Sequence, residues 1–389
     1  MTRRAARTLL FAGGGTGGHV FPMIAVAEAV KVLAPDVRFV FVGTARGLEA
    51  RAVPERGYEL ELMRVLPLRG GGLTGFLRGV GRAALSVPEG RALVKRLAPA
   101  AVLSVGGYAA GPVSLAAWSL GVPLALLEPN SVMGLANRWV APLAARGYVA
   151  FSAAERHFRR GRALRVGVPL RPGFEAAPPA RPGEALRVLV LGGSQGAKAL
   201  NEAVPRAVAR LGSAVEVVHQ SGPAHADAVR ALYAELGLAE RVRVVPFIDD
   251  MPAALAASEL VVGRAGAGAL SEMCAVGRPG LLVPYPFAAD DHQRVNAEAL
   301  VQAGAAVCVL NAEATPERLA REVGEFVQDR ARLTAMAARA REAGRPTAAR
   351  DIALDLLELA GLRARETSGS VAPSRAVPPH QTLKLEEAT

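Results

Sequence analysis

The sequence predicts an α/β protein built from two Rossmann-like domains, each with a parallel sheet, that face one another across a central cleft. The chain opens with an apolar strand and a glycine-rich turn at Thr8–His19, which run directly into a helix. The same scheme returns at Leu186–Lys198, after a stretch rich in Pro and Gly between residues 159 and 187 that is typical of a linker. At 389 residues the chain is also long for one hydrophobic core.

The first glycine turn is predicted to bind an anion. Residues 13 to 18 contain five glycines, and apolar residues then recur at helical spacing from Val20 to Leu33. Glycine lets the backbone approach a ligand, while the first-turn N–H groups and the helix dipole favour negative charge. The expected ligand therefore carries phosphate. A tight turn without a ligand is the alternative, but so many glycines cost chain entropy without adding packing contacts.

A dinucleotide-binding unit is the obvious competing interpretation, because Gly13, Gly15 and Gly18 satisfy the G-x-G-x-x-G pattern. Such a unit needs an acidic residue at the end of its second strand to hold the adenosine ribose. Here the second apolar run ends in Gly43-Thr44, and no Asp or Glu follows until Glu49. The sequence therefore disfavours a dinucleotide cofactor.

The net charge of +11 predicts anionic partners, and one basic segment indicates which kind. The segment Arg64–Arg96 carries seven basic residues and one acid, interleaved with apolar side chains. Its apolar side could lie on an anionic membrane surface while its arginines meet phosphates. A solvated basic helix packed on its own domain is the alternative. Aromatic residues make up only 5% of the chain and do not cluster with basic ones, so nucleic acid is not an expected partner.

No signal peptide or membrane-spanning helix is expected. The basic N-terminus runs into glycines before an apolar signal region could form. The uncharged stretch 97–127 is long enough to span a bilayer, but Pro99, Pro112 and Pro123 divide it into the pieces of a buried strand–helix–strand unit.

The two cysteines, Cys274 and Cys308, lie in apolar elements, which favours a reducing compartment.

Polar side chains follow the apolar strand that begins at Leu124. Glu128 and Asn130 stand where this strand should end, and the carboxyl ends of parallel strands meet at one edge of a sheet. They are therefore expected near the first glycine turn, where a carboxylate and an amide suit proton transfer and the recognition of sugar hydroxyls. Capping of the following helix is the alternative role.

The second half has predicted strands near residues 215–219, 242–246, 260–263 and 280–284. A glycine-rich turn after the third of them leads into a helix that carries Glu272 about one turn in. Backbone N–H groups there could hold a diphosphate while the carboxylate accepts from ribose hydroxyls, a pattern that a sugar nucleotide presents. Asp290–Asn296 adds polar groups at the start of another helix, where Asp290 or Asp291 could instead be a simple cap.

Taken together, these segments resemble the MurG family of bacterial glycosyltransferases, which move N-acetylglucosamine from UDP onto lipid I during peptidoglycan synthesis. The matching segments are spread in the family's order over residues 8 to about 360. They are Gly14–Pro22, Ser104–Tyr108, Glu128–Asn130, Gly192–Gly196, Phe247–Met251, Arg264–Glu272 and Asp291–Asn296.

The resemblance implies the GT-B fold, with UDP-N-acetylglucosamine in the C-terminal domain and the pyrophosphate and sugar of lipid I at the N-terminal side. No cofactor is implied. The donor contacts that match the family are Arg171, Ser194, Ile248, Glu272 and Gln293, with the backbone of Ala267, Gly268, Ala269, Leu270 and Ser271 approaching the nucleotide. The residues that match on the acceptor side are Thr16, Gly17, Gly18 and Asn130.

The family reaction inverts the anomeric centre, so the muramyl 4-hydroxyl of lipid I should attack C1 of the donor sugar directly. His19 and Glu128 are the two candidates for the base, and the sequence leaves that choice open. No Asp-x-Asp triplet is present for a metal, so helix N-termini and Arg171 would stabilise the departing UDP. The expected location is peripheral, on the cytoplasmic face of the inner membrane, with Arg64–Arg96 and Trp118 contributing to the docking surface.

The predicted organisation has an acceptor and membrane-docking domain at 1–163 and a donor domain at 164–346. A helix at 347–362 should return to the first domain, and the polar tail 363–389 is expected to be disordered.

Val168 and Pro129 depart from the family pattern, which commonly has Asn and Gln there, so polar contacts from these positions are not expected. A related enzyme with another lipid acceptor, such as a glycolipid synthase, and a non-catalytic nucleotide-sugar or nucleic-acid binding module are the remaining alternatives.

Overall fold

The computed structural model describes residues 7–63, 86–107, 109–178, 185–193 and 195–365. Three predictions fall wholly or partly outside these residues. They concern the donor contact Ser194, positions 64–85 of the basic segment, and positions 366–389 of the tail.

The first half of the chain forms a seven-stranded sheet in which every strand pairs in parallel with its neighbours. Its strands are β1 (Thr8–Gly13), β2 (Arg38–Gly43), β3 (Glu59–Leu62), β4 (Ala101–Gly106), β5 (Leu124–Glu128), β6 (Arg146–Val149) and β7 (Ala163–Arg165). They lie in the order β3-β2-β1-β4-β5-β6-β7. The order reverses between β1 and β4, the switch point at which doubly wound sheets bind ligands.

The second half repeats this topology with six parallel strands. They are β8 (Leu186–Leu191), β9 (Val215–Gln220), β10 (Val242–Val245), β11 (Leu260–Gly263), β12 (Gly280–Leu282) and β13 (Ala306–Cys308). The order β10-β9-β8-β11-β12-β13 again reverses beside the strand that precedes the glycine turn. The predicted fold class, two Rossmann-like domains with parallel sheets, is confirmed.

Helices cover both faces of each sheet, as the continuous apolar runs of the central strands require. In the described part of the chain they are α1 (Gly17–Leu33), α2 (Glu49–Ala52), α3 (Val87–Leu97), α4 (Ala110–Ser119), α5 (Leu135–Val140), α6 (Lys198–Leu211), α7 (Ala226–Glu235), α8 (Met251–Ala257), α9 (Ala267–Val276), α10 (His292–Gln302), α11 (Pro316–Gln328), α12 (Arg330–Ala343) and α13 (Ala348–Leu359). Short 3₁₀ turns connect several of them.

Each sheet has one apolar core on either face. The first sheet buries β1 residues such as Leu9 and Phe11 against α1 on one side, and Leu10 against α3 and α4 on the other. The second sheet packs α6 and α11 on one face and α9 on the other, and α12 contributes side chains to both cores. The final helix, α13, crosses back to the first half, where Ile352 and Leu356 join the core beside α1.

The uncharged stretch 97–127 contributes β4, α4 and β5, so its apolar length serves a buried strand–helix–strand unit. None of the helices in the described ranges is both long enough and apolar enough to cross a membrane.

Candidate active site

The first glycine turn lies open at the carboxyl end of β1. Gly15 has a left-handed φ of +97°, which glycine adopts without strain, and Gly15, Thr16 and Gly18 are exposed. Thr16 occupies the N-cap position of α1, but its hydroxyl makes no capping hydrogen bond. The N–H groups of His19 and Val20 donate to the Thr16 carbonyl, whereas those of Gly17 and Gly18 have no hydrogen-bond partner in the described part of the chain. These two N–H groups and the Thr16 hydroxyl are therefore available to an anion.

His19 lies in the first turn of α1, half-buried beside the same turn. Burial lowers the pKa of His19, and His292 at the start of α10 in the other half of the chain lowers it further. A hydrogen bond to the backbone of Gly14 and the charge of Glu49 act in the opposite direction. The imidazole is therefore largely neutral at pH 7, the form that can accept a proton.

Glu128 ends β5 with only 2% of its surface exposed, and donors from the loop that follows it bond to both carboxylate oxygens. One oxygen accepts from the backbone N–H and side-chain amide of Asn130 at 3.1 and 3.4 Å. The other accepts from the Gly134 N–H at 3.2 Å and from the Asn137 amide at 3.1 Å. Burial raises the pKa of Glu128, and these hydrogen bonds oppose the rise. The carboxylate thus holds the 128–137 loop in shape.

The second glycine turn also lies at the surface, since Gly193 and Gln195, which flank Ser194, are exposed. The turn after β11 leads into α9, whose N-cap is Gly266 without a side-chain cap. Ala267 and Leu270 turn their side chains into the core, whereas Gly268, Ala269 and Ser271 are partly exposed. The first backbone bond at this end of α9 runs from the Leu270 N–H to the Gly266 carbonyl, so the N–H groups that precede it, those of Ala267, Gly268 and Ala269, are available to a ligand.

Glu272 follows in the second turn of α9. Burial raises its pKa to about 7, and the nearby Arg171 guanidinium partly offsets this rise. Arg171 is exposed and lies with its guanidinium carbon 5.6 Å from the centre of the Phe174 ring. The carboxylate of Glu272 can accept hydrogen bonds from ribose hydroxyls, and the cation of Arg171 can pair with the adjoining diphosphate.

Gln293 joins two loops at the same edge of the second sheet. Its side-chain oxygen accepts from the N–H of Ala265 at 3.1 Å and from the N–H of Tyr285 at 3.0 Å. Ile248, the remaining predicted donor contact, is partly buried against the adjoining core. Asp291 stands at the N-cap of α10 without a capping bond and pairs with Arg294 instead.

The two halves meet where these loops end. The buried side chain of Asn296 accepts from the N–H of Ser131 at 2.9 Å and donates to Asn130 at 3.4 Å and to the carbonyl of Ala265 at 3.2 Å. Helix α1 also contacts helix α9. The structure therefore brings Asn130, the predicted acceptor contact, and the predicted donor turn to one junction.

Two side chains in this region were missed by sequence reasoning. Asn137 supports Glu128, and Glu49 accepts a hydrogen bond from the first glycine turn. Neither belongs to a recognisable motif, so only the folded chain connects them to the site.

Comparisons with known proteins identify the family of the chain. Residues 9–149 match the N-terminal domain of glycosyltransferase family 28, and residues 187–352 match its C-terminal domain. A protein of Sorangium cellulosum, named UDP-N-acetylglucosamine–N-acetylmuramyl-(pentapeptide) pyrophosphoryl-undecaprenol N-acetylglucosamine transferase, is 59% identical over 91% of this chain and 88% of its own length. A protein of the same name from Syntrophotalea carbinolica is 43% identical over 86% of this chain and 94% of its own.

A solved structure shows the same similarity in three dimensions. The crystal structure of Acinetobacter baumannii MurG superposes with a TM-score of 0.77 at 30% identity, covering 90% of this chain and 99% of that one.

Proposed function

This chain belongs to glycosyltransferase family 28, and from that membership we propose how its residues carry out glycosyl transfer. It is an N-acetylglucosaminyltransferase of the MurG type, which transfers N-acetylglucosamine from UDP-N-acetylglucosamine to lipid I and forms lipid II in peptidoglycan synthesis. The structural observation that carries the mechanism is the junction at Asn296, where the acceptor loop and the donor turn meet.

The acceptor binds at the first glycine turn. The unpaired N–H groups of Gly17 and Gly18 and the Thr16 hydroxyl, which makes no capping bond, hold the pyrophosphate of lipid I, because a helix N-terminus favours an anion. Asn130 recognises the sugar beyond it. The side-chain amide of Asn130 donates to Glu128 and its oxygen accepts from Asn296, which fixes the direction of the amide.

The donor binds at the second half. The backbone at Ala267–Ser271 holds the diphosphate, Glu272 accepts from the ribose hydroxyls, and Arg171 lies close enough to Glu272 to influence its pKa. The remaining donor contacts are Ser194, Ile248 and Gln293. The N-terminal end of α9 and the Arg171 guanidinium together stabilise the negative charge that develops as UDP leaves.

His19 is the base in this mechanism. The muramyl 4-oxygen forms a bond to C1 of the donor sugar as the bond from C1 to the UDP oxygen breaks, and the hydroxyl proton moves to the neutral imidazole. This displacement inverts the anomeric centre. Glu128 is the weaker candidate, because four donors already occupy its oxygens.

The first domain is proposed to dock on the cytoplasmic face of the inner membrane. On the described part of the surface, Leu115 and Trp118 of α4 are exposed, and Arg91 of α3 hydrogen-bonds to Ser119 at the end of α4. Exposed apolar side chains beside a cation suit an anionic lipid surface. Helix α3, which contains Arg91, is the described end of the basic segment Arg64–Arg96.

A transfer assay with purified protein tests the function. Radiolabelled N-acetylglucosamine should pass from its UDP carrier to a lipid I analogue and not to diacylglycerol. Transfer to diacylglycerol instead would assign the chain to a glycolipid synthase. Binding of DNA at physiological salt without any transfer would favour a binding module, because binding driven by charge alone weakens steeply as salt rises.

A further inference from the structure

Glu49 is a buried carboxylate that lies beneath the first glycine turn. It begins α2, and its side chain is fully enclosed. One oxygen accepts from the backbone N–H of Gly15 at 2.8 Å. The other accepts from the N–H of Thr44 at 2.8 Å and from the Thr44 hydroxyl at 3.0 Å. The carboxylate therefore connects the turn after β1 to the turn after β2.

Three glycines from separate positions make room for this carboxylate. A Cβ atom on Gly14 would lie 2.1 Å from a Glu49 carboxylate oxygen, and one on Gly47 would lie 2.0 Å from the other. A Cβ on Gly43 would lie 2.3 Å from the Glu49 Cγ. Since all three distances are shorter than any van der Waals contact, no larger residue fits while Glu49 stays in place. Gly14, Gly43 and Gly47 therefore provide the space that the enclosed carboxylate of Glu49 occupies.

The arrangement also explains why the end of β2 lacks the acid of a dinucleotide site. There Thr44 turns its N–H and hydroxyl toward Glu49, so the second strand ends in donors to an internal carboxylate. A negative charge close to an anion site is unfavourable unless donors satisfy it. Here three donors do so, and one of them is the Gly15 N–H, which is thereby withdrawn from the ligand.

We propose that Glu49 is a positioning residue for the acceptor pyrophosphate. By holding the Gly15 N–H inward, it fixes the left-handed conformation of Gly15, and the chain leaves that turn with Thr16, Gly17 and Gly18 directed at the ligand. This inference rests on the proposed binding of lipid I at the first glycine turn. It predicts an effect on acceptor binding that is separate from any effect on stability.

The test is Glu49→Gln, which keeps the shape but places an NH₂ group against an N–H donor. The KM for a lipid I analogue should rise about tenfold or more, as expected when a buried hydrogen bond is lost and its partner left unpaired. The KM for UDP-N-acetylglucosamine should stay within about twofold, because the donor binds at the other domain. Equal changes in both KM values, or an unchanged acceptor KM, would overturn the proposal.

Asp355→Asn is the matched control. Asp355 of α13 accepts from the Tyr148 hydroxyl at 2.7 Å and from Arg146 at 3.1 Å, so it is another carboxylate held by donors in the same half of the chain. Its substitution should lower Tm and leave both KM values unchanged. A Glu49→Gln protein that behaves in the same way would show a merely structural role.

Hydrogen exchange gives a readout that does not depend on activity. In Glu49→Gln, amides of the peptide covering residues 13–18 should exchange faster than in the wild type, whereas Asp355→Asn should leave them unchanged. Unaltered exchange in Glu49→Gln would contradict the proposed positioning. Failure of the wild-type protein to transfer sugar to lipid I would count against the proposed function instead.

Discussion

The backbone N–H of Ser131 donates to the side-chain oxygen of Asn296 across 2.9 Å, and this bond joins the half of the protein proposed to bind the acceptor to the half proposed to bind the donor. Asn296 is fully buried, and its amide also reaches the carbonyl of Ala265 in the turn before α9. One side chain therefore bonds to the loops that are proposed to hold the two substrates. A change in the position of either loop would therefore alter the hydrogen bonds of the Asn296 amide.

Asn296→Ala should weaken the coupling between the two halves. It leaves the Ser131 N–H and the Ala265 carbonyl without these partners in a buried place, at a cost of about 1–3 kcal/mol for each group. We expect a lower Tm and a lower kcat, together with a larger radius of gyration in X-ray scattering with UDP-N-acetylglucosamine bound.

Asn201→Ala provides the control for that experiment. Asn201 is also buried, but its partners, Ser221 and His219, lie within the donor half. Its loss should lower Tm without changing the radius of gyration. If both variants gave the same scattering curve, Asn296 would not couple the halves.

His19→Ala should lower kcat by about 10²- to 10⁴-fold, the contribution typical of a general base. In the wild type, kcat/KM for the acceptor should fall on the acid side of the pH profile, because a protonated imidazole cannot accept the hydroxyl proton and this ratio reports the groups of the free enzyme. Burial and His292 lower the pKa of His19, so this fall should be centred below pH 6.5. His292→Gln should move the midpoint upward, since it removes a neighbour that lowers the pKa.

Glu128→Gln separates the two candidates for the base. An amide at this position would direct an NH₂ group at the N–H groups of its own loop, so we expect a lower Tm and a moderate loss of activity with an unchanged pH midpoint. Loss of the acid limb in Glu128→Gln, with the limb retained in an active His19→Ala, would transfer the role of base to Glu128.

Binding of UDP-N-acetylglucosamine should weaken as the pH falls from 8 to 6. Burial raises the pKa of Glu272 to about 7, so its carboxyl group is mostly protonated below that pH and accepts more weakly from the ribose hydroxyls. Titration calorimetry at several pH values measures this change, and Glu272→Gln should remove it. Arg171→Ala should shift the midpoint to higher pH, because the guanidinium lowers the Glu272 pKa; a midpoint that does not move would contradict the assignment.

Activity should persist in a chelator. The chain has no Asp-x-Asp triplet, and the described residues bring together no group of three or more His, Cys, Asp or Glu side chains that could hold a metal ion. The end of α9 and Arg171 are proposed to supply the charge stabilisation instead. Transfer rates with EDTA and with added magnesium provide the measurement, and a loss in EDTA that magnesium restores would refute the prediction.

The sequence predicted the fold because its central strands are continuous apolar runs that end in glycine turns, a local signal present at both Thr8–Gly13 and Leu186–Leu191. It missed β3, β6, β7 and β13, which are only three or four residues long and lie toward the sheet edges. Strand β7 even falls within the stretch interpreted as linker. Short edge strands owe their conformation to the neighbour with which they pair, which local patterns do not reveal.

The sequence predicted residues of the candidate site only where they belong to a recognisable motif. Glu49 was noted as an acid too far from β2 to hold a ribose, and its bond to Gly15 spans 34 residues of sequence. The bond between Ser131 and Asn296 spans 165. The environment of Glu128, which decides whether its oxygens are available, likewise depends on the folded loop. Contacts of this kind follow from tertiary structure and leave no periodic signal.

Trp118→Ala should weaken binding to vesicles that contain anionic lipid by several-fold, because about half of this indole is exposed beside the apolar Leu115. Sedimentation with vesicles measures the effect, and transfer to a water-soluble acceptor analogue should keep its wild-type rate. Leu310→Ala, at an exposed apolar residue of the donor half, is the control and should leave vesicle binding unchanged. Equal losses in both variants would mean that the membrane contact is not confined to the acceptor half.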